Sequence, residues 1–315
     1  MKCLAGVDEA GLGPILGPLV VAGVAMRGPA AADPWRVLSD LVSRRRAERG
    51  KVRVADSKKV HSGPKGLSHV ERTALTFWAV LRGELPRTLR DWLRELGADR
   101  ADLRRCPWYE GIDLALPLEN DADWLRLTAE QISRRLRREG IELQRISIRP
   151  VDVEEWNRWI AETDNKSLAH FRAYAEVLSE LIATLGDGGH LVADRCGGRI
   201  HYARDLARLV PGVRVETDQE RPEASTYRLI RETAEARVTF AERAEDRAFP
   251  TALASCFAKY VRELMMRVLN DWFAAKVPGL ARTAGYFVDG RRFLEDLEPH
   301  LGRLALPYDR LVRCR

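Results

Sequence analysis

Apolar residues near the start of the chain fall into two blocks, Leu4 to Val7 and Leu19 to Met26, parted by a segment rich in glycine and proline. Short apolar runs bounded by turn residues read as buried strands, so strands are predicted over residues 2–8 and 19–26. Residues 65–96 show helical spacing with breaks, one of them at Pro86. A helix is predicted over 123–139, carrying Arg134, Arg135, Arg137 and Arg138 and stopped by Gly140. IELQRISIR (141–149) reads as a strand, and Asp152 as the N-cap of VEEWNRWI. The amphipathic pattern from Ser167 to Leu185 predicts a long helix ending at Gly186, followed by a strand at HLVAD (190–194). VRVE (213–216) and RVTFA (237–241) are predicted strands separated by a helix near 222–236. The strongest helical pattern runs from Pro250 to about Phe273. Residues 97–122, with Pro107 and Pro117 and few periodic apolar positions, read as a loop or insertion. Alternating strand and helix predicts an α/β architecture.

Composition narrows the class. A chain of 315 residues, 45% hydrophobic and 31% charged, suits a soluble core of one large domain or two modest ones. No run reaches the ~18 apolar residues of a membrane span, so no membrane association is expected. Acids arrive by position 8, against the order of a secretion signal. Five cysteines (Cys3, Cys106, Cys196, Cys256, Cys314) lie scattered, which predicts free thiols and a reducing, cytoplasmic setting. The six histidines show no ligand spacing. From Arg44 to Lys59 eight basic residues (Arg44, Arg45, Arg46, Arg49, Lys51, Arg53, Lys58, Lys59) stand against Glu48 and Asp56, a local excess equal to the net +6 of the whole chain. Such a stretch suits a polyanion neutralised on its phosphates. A solvated loop explains the Arg44–Arg49 part equally well.

Asp8 and Glu9 are delivered side by side by the first predicted strand onto a turn containing Gly11, Gly13 and Gly17. Adjacent carboxylates repel, so a buried pair calls for a cation, and all-oxygen ligands suit Mg²⁺ or Mn²⁺. The glycines allow another backbone to come close. Asp194 ends a second predicted strand, and Asp246 follows a third. Acids at the ends of neighbouring strands can converge as a two-metal nuclease site requires. Thr251, Ser255, Lys259 and Glu263 recur at i, i+4 on the last strong helix and so share one face; an ordinary wet helix face gives the same pattern.

Four blocks in this order resemble type 2 ribonuclease H (ribonuclease HII). GVDEAGLGPILGPLVVAGV (6–24) is similar to the family's DEAGRG opening, and VADSKKV (54–60) to its DSK-K motif. FAERAEDRAFP (240–250) resembles the segment bearing the last catalytic acid, and ASCFAKYVRE (254–263) the ASI-AKV-RD helix. The resemblance implies a ribonuclease H-like fold, a mixed central sheet flanked by helices, with helical insertions and a C-terminal helical region. It implies a catalytic domain over 1–270 with an insertion near 85–140, and a C-terminal extension over 271–315 completing the substrate groove. Asp8, Glu9, Asp194 and Asp246 are the implied catalytic and metal-binding acids; Asp246 is preferred to Glu245 because Phe249-Pro250 aligns with the family's aromatic-proline pair. Gly11, Leu12, Gly13, Lys58, Ser255, Lys259 and Tyr286 are the implied substrate-binding residues. The implied activity is endonucleolytic hydrolysis, dependent on Mg²⁺ or Mn²⁺, of the RNA strand of an RNA–DNA hybrid or ribonucleotide-containing duplex. The chain departs from the family at Leu12, where the family has arginine, at Asp194-Arg195 in place of an acid-glycine pair, and at Glu263 in place of aspartate. A related nuclease of altered specificity and a non-catalytic nucleic-acid-binding module of the same fold stand as alternatives.

Overall fold

The computed structural model describes residues 1–45, 48–98, 103–111, 113–231 and 234–314; Arg46 of the basic stretch lies outside them. Nine strands are described: β1 (Lys2–Ala10), β2 (Leu19–Gly28), β3 (Val42–Ser43), β4 (Val52–Arg53), β5 (Glu142–Val151), β6 (Gly189–Asp194), β7 (Arg214–Glu220), β8 (Ala224–Ile230) and β9 (Glu235–Ala241). Seven of them form one sheet in the order β5-β2-β1-β6-β9-β8-β7, and β3 and β4 form a small parallel ladder beside it. β1, β6 and β9 run parallel, while the outer neighbours pair antiparallel. The expected mixed central sheet flanked by helices is therefore present. Because parallel neighbours end at the same edge, the C-terminal ends of β1 and β6 emerge together.

The sheet is covered on both faces, and β2 shows how its sequence achieves this. Successive side chains on a strand point to opposite faces. Val20, Ala22, Val24 and Met26 join the core formed with α3 (Gly66–Arg82) and α10 (Phe249–Lys276). Leu19, Val21 and Ala25 join the other core, with α8 (Lys166–Leu185). Burial on both faces explains why β2 reads as a continuous apolar run rather than an alternating one. Gly6 of β1 has no Cβ because the backbone of Thr251 occupies that space, so α10 lies almost in contact with the strand that carries the first acids.

Further helices fill out the layers: α1 (Pro34–Val37), α2 (Ser57–Val60), α4 (Leu89–Glu95), α5 (Pro107–Glu110), α6 (Ala122–Arg138), α7 (Val153–Thr163) and α9 (Ala203–Leu209). The C-terminal region is helical as expected, with α11 (Phe287–Leu297), α12 (Leu301–Leu304) and α13 (Tyr308–Leu311). Asp152 caps α7 by accepting from the Glu155 amide at 2.8 Å, as its position predicted. The helix expected near 222–236 is not there. β7, β8 and β9 form an antiparallel meander, because Ser225, Tyr227 and Leu229 alternate inward with the period of a strand. The intervening Arg228 makes cross-strand pairs, reaching both Glu216 and Asp218. Among the described residues no helix is long and apolar enough to cross a membrane.

Candidate active site

The register that pairs Val7 with Ala193 sets Asp8 beside Asp194 at the shared edge of β1 and β6. Oxygen atoms of Asp8, Glu9 and Asp194 lie within 4.8 Å of one another. Alternation along β1 sends Asp8 and Glu9 toward opposite faces, and each meets a hydroxyl from a different helical layer. The Asp8 carboxylate engages Ser255 of α10 and accepts the Glu9 amide at 2.7 Å. Glu9 accepts the hydroxyl of Tyr174 on α8. Asp194 accepts the Ala244 amide at 3.3 Å. The trio thus straddles the sheet edge, braced from both sides.

Its electrostatics are those of an unfinished site. Burial raises the proton affinity of all three carboxyls above the ordinary range; for Asp8 the charges of Glu9 and Asp194 add to this, and Asp194 is pushed up to about 6 by burial and then by Glu9. Among the described residues no lysine or arginine lies within ion-pair distance of any of the three; the nearby base is His170, 3.8 Å from Glu9. Burial pushes His170 down to about 3, so its imidazole is neutral and leaves the acids uncompensated. Exposed Lys58 lowers the proton affinity of Glu9 and Asp194 through space. Three converging carboxylates without a buried counter-charge fit a hard divalent cation held by oxygen.

The other predicted residues are distributed around this edge. Asp56 caps α2 by accepting the Lys58 amide at 2.9 Å, and the Ser57 amide donates to the Ser255 hydroxyl at 3.1 Å, tying the lysine-bearing turn to α10. Lys259, one turn beyond Ser255, forms a 2.6 Å ion pair with Glu263. Gly11 adopts φ +90°, which glycine tolerates without strain, and the Arg262 side chain fills the place of its missing Cβ. Leu12 packs half-buried against the α8 side of the core, and Gly13 has open space around it. The carbonyl of Gly285 accepts the amides of Ile15 and Leu16, which sets half-exposed Tyr286 beside the glycine turn, over the Arg262 guanidinium at 5.6 Å.

Asp246 stands apart from the trio. It lies in a short 3₁₀ turn after β9, 41% exposed, with its carboxylate 3.6 Å from Lys59. The neighbouring Glu245 is half-buried, and its carboxyl is raised by burial first and then by Asp194, Asp56 and Asp246. Four residues around the site were not singled out by the sequence, although Arg262 lies within the ASCFAKYVRE block. His170 and Tyr174, four apart on α8, sit behind Glu9; Arg262 and Arg313 lie buried under the glycine turn. An aromatic or basic residue inside an amphipathic or irregular segment looks like any other until tertiary structure assigns its neighbour.

No family model matches the chain, and no curated protein matches it. Among solved structures it is similar to ribonuclease HII from Archaeoglobus fulgidus in its complex with PCNA, at 19% identity and a TM-score of 0.45, covering 100% of this chain and 95% of that one. It is similar to ribonuclease H2 from Pyrococcus horikoshii, at 14% identity and a TM-score of 0.37, covering 98% and 92%. A third similar structure is Bst-RNase HIII in complex with Mn²⁺, at 14% identity and a TM-score of 0.40, covering 99% of this chain and 66% of that one. The similar structures named here are ribonucleases HII, H2 and HIII.

Proposed function

We propose that the chain is a divergent type 2 ribonuclease H, an endonuclease that hydrolyses the RNA strand of RNA–DNA hybrids with a divalent cation. The observation that carries this reading is the convergence of Asp8, Glu9 and Asp194 without a cationic partner in ion-pair distance. The order of four sequence motifs around them supports it. Asp8, Glu9 and Asp194 would hold Mg²⁺ or Mn²⁺, which supplies Lewis-acid stabilisation of the phosphoryl group and an activated water at neutral pH.

The chain's own residues do the rest. Ser255 and Tyr174 fix the Asp8 and Glu9 carboxylates from opposite faces of the sheet. A fourth carboxylate comes from the turn after β9. Asp246 is the residue that the aromatic-proline pair assigns, while Glu245 has the surroundings that favour the role, being half-buried and within electrostatic reach of Asp194. Lys58 and Lys259 would neutralise backbone phosphates. The open backbone at Gly13 would meet the ribose 2′-hydroxyl, the group that separates RNA from DNA, with the Tyr286 ring against the neighbouring sugar.

Cleavage of a labelled hybrid duplex by the wild type and by Asp8→Asn, each with Mg²⁺ or Mn²⁺, tests the reading. Activity confined to the wild type is expected; equal activity in both, or none in the wild type with either metal, overturns it. A second reading, a related nuclease with a different substrate, is favoured by Leu12, whose side chain presents no donor at the turn. Preference for double-stranded RNA or DNA over the hybrid in a substrate panel would select it.

A further inference from the structure

A cavity of about 270 Å³ opens beside the turn at Leu12, Gly13 and Pro14, lined also by Trp156, Lys166 and Arg313. Among the described residues no carboxylate lines it. Arg313 is 4% exposed; its Nε donates to the Gly17 carbonyl at 2.9 Å and its Nη1 to the Gly11 carbonyl at 2.7 Å. Its Nη2 has no partner among the described residues. A buried guanidinium group with an unused donor is costly, and burial together with nearby Arg262 pushes Arg313 down to about 9. Lys166 is the first residue of α8, exposed and without an ion pair among the described residues. A cation at the positive end of the helix dipole is unfavourable for the helix itself, and the first turn of α8 holds no acid to offset it. Guanidinium and ammonium thus concentrate positive potential on one concave space with no negative group among the described residues of its lining. A water molecule takes about 30 Å³ of liquid volume, so the cavity admits a phosphate group with bridging waters.

We propose that this cavity is an anion subsite that takes a backbone phosphodiester of the bound nucleic-acid strand, with Lys166 as its direct contact and Arg313 as the buried charge behind it. The inference rests on the nucleic-acid reading and extends it along the strand, away from the acids. Leu12, which lines the cavity, brings no charge of its own, so the cationic contact on this side of the turn comes from α8 and the C-terminal segment.

The experiment measures equilibrium binding of an RNA–DNA hybrid without divalent metal, over a range of salt, for the wild type, Lys166→Ala and Lys2→Ala at the far end of β1. Each neutralised phosphate contributes a slope of roughly −0.9 in log affinity against log salt. Lys166→Ala is therefore expected to flatten the slope by about that amount, and its deficit to be about 3.5-fold larger at 50 mM than at 200 mM salt. Lys2→Ala keeps the wild-type slope. An unchanged slope in Lys166→Ala overturns the proposal, as does a wild type with no salt-dependent binding. A calorimetric titration with inorganic phosphate separates the sources. Phosphate binding that Lys166→Ala abolishes while the hybrid slope stays unchanged assigns the cavity to a free anion and overturns the strand contact. Binding with the expected slopes but no cleavage by the wild type in Mg²⁺ or Mn²⁺ defeats the nuclease reading and leaves the subsite standing.

Discussion

Glu71 on α3 is fully buried and Asp8 at the end of β1 nearly so, yet they are solvated in opposite ways. The Glu71 carboxylate accepts four hydrogen bonds, from the amides of Leu118 and Glu119, the Asn120 side chain and the Tyr260 hydroxyl, at 2.7–2.9 Å. Those donors come from α10 and from the loop after α5, so the buried charge staples an irregular segment to the core. Asp8 instead faces two further carboxylates and has the Glu9 amide and Ser255 as its partners. A buried acid whose oxygens are filled by protein donors is structural, whereas one whose neighbours repel it has been left for something from outside. Burial alone does not distinguish the two; the identity of the groups at hydrogen-bond distance does.

Breaking the structural member should have the largest effect. Glu71→Ala strands four donors, two of them main-chain, and at about 1 kcal/mol for each the loss of stability is about 4 kcal/mol in a urea titration. Asp8→Asn should do the reverse. Hybrid cleavage falls by more than about 100-fold, the upper end of what loss of even an outer partner of a metal ligand costs, while the urea midpoint of the metal-free protein rises because one repelling charge is gone. A fall in that midpoint would place Asp8 with Glu71 as a structural acid. Tyr174→Phe sharpens the contrast from the side of the donor. It leaves Glu9 without its hydroxyl, and cleavage should drop about tenfold, as for other outer partners, with folding nearly intact; an unchanged rate at saturating metal would show that the brace is dispensable.

A further effect is on stability against pH in the absence of metal. Asp194 titrates at about 6 in the folded protein, against about 3.9 when unfolded. Between these values the folded state holds the proton more tightly. The contribution of Asp194 is therefore present at low pH and is lost as pH rises through about 6. Asp8 and Glu9 are shifted in the same direction. The urea midpoint relative to that of Asp194→Asn should decline between pH 4 and 6 and level off above; a rise over that interval would contradict it.

The parts of the site legible in the sequence are those that local pattern encodes. β1 and β2 declare themselves by apolar runs, the acids by their place at strand ends, and α10 by its unbroken helical period. Serine and lysine at i, i+4 on α10 could be read as one face because helix geometry fixes that spacing. β8 was not legible as a strand. Its one charge, Arg228, and the polar residues beside it interrupt the apolar positions, and the partners of Arg228 lie on β7 and β9, which local spacing does not reveal. Tyr174 and Arg313 were illegible for the same reason, since their partners Glu9 and Gly11 lie 165 and 302 residues away. Asp246 and Glu245 sit side by side in one short turn, where the motif alignment favours the first and burial near Asp194 the second.

The bond from Arg313 to the Gly11 carbonyl joins residues made at opposite times as well as at opposite ends of the sequence. Translation proceeds at about 5–20 residues per second, so a separation of 302 residues corresponds to a delay of about 15–60 s. During that interval β1 and β6 can pair and bring their acids together, but the glycine turn beside them lacks its clamp. Long-range ties of this kind also slow the final steps of folding. A growing chain would therefore hold its carboxylates before the glycine turn beside them is clamped.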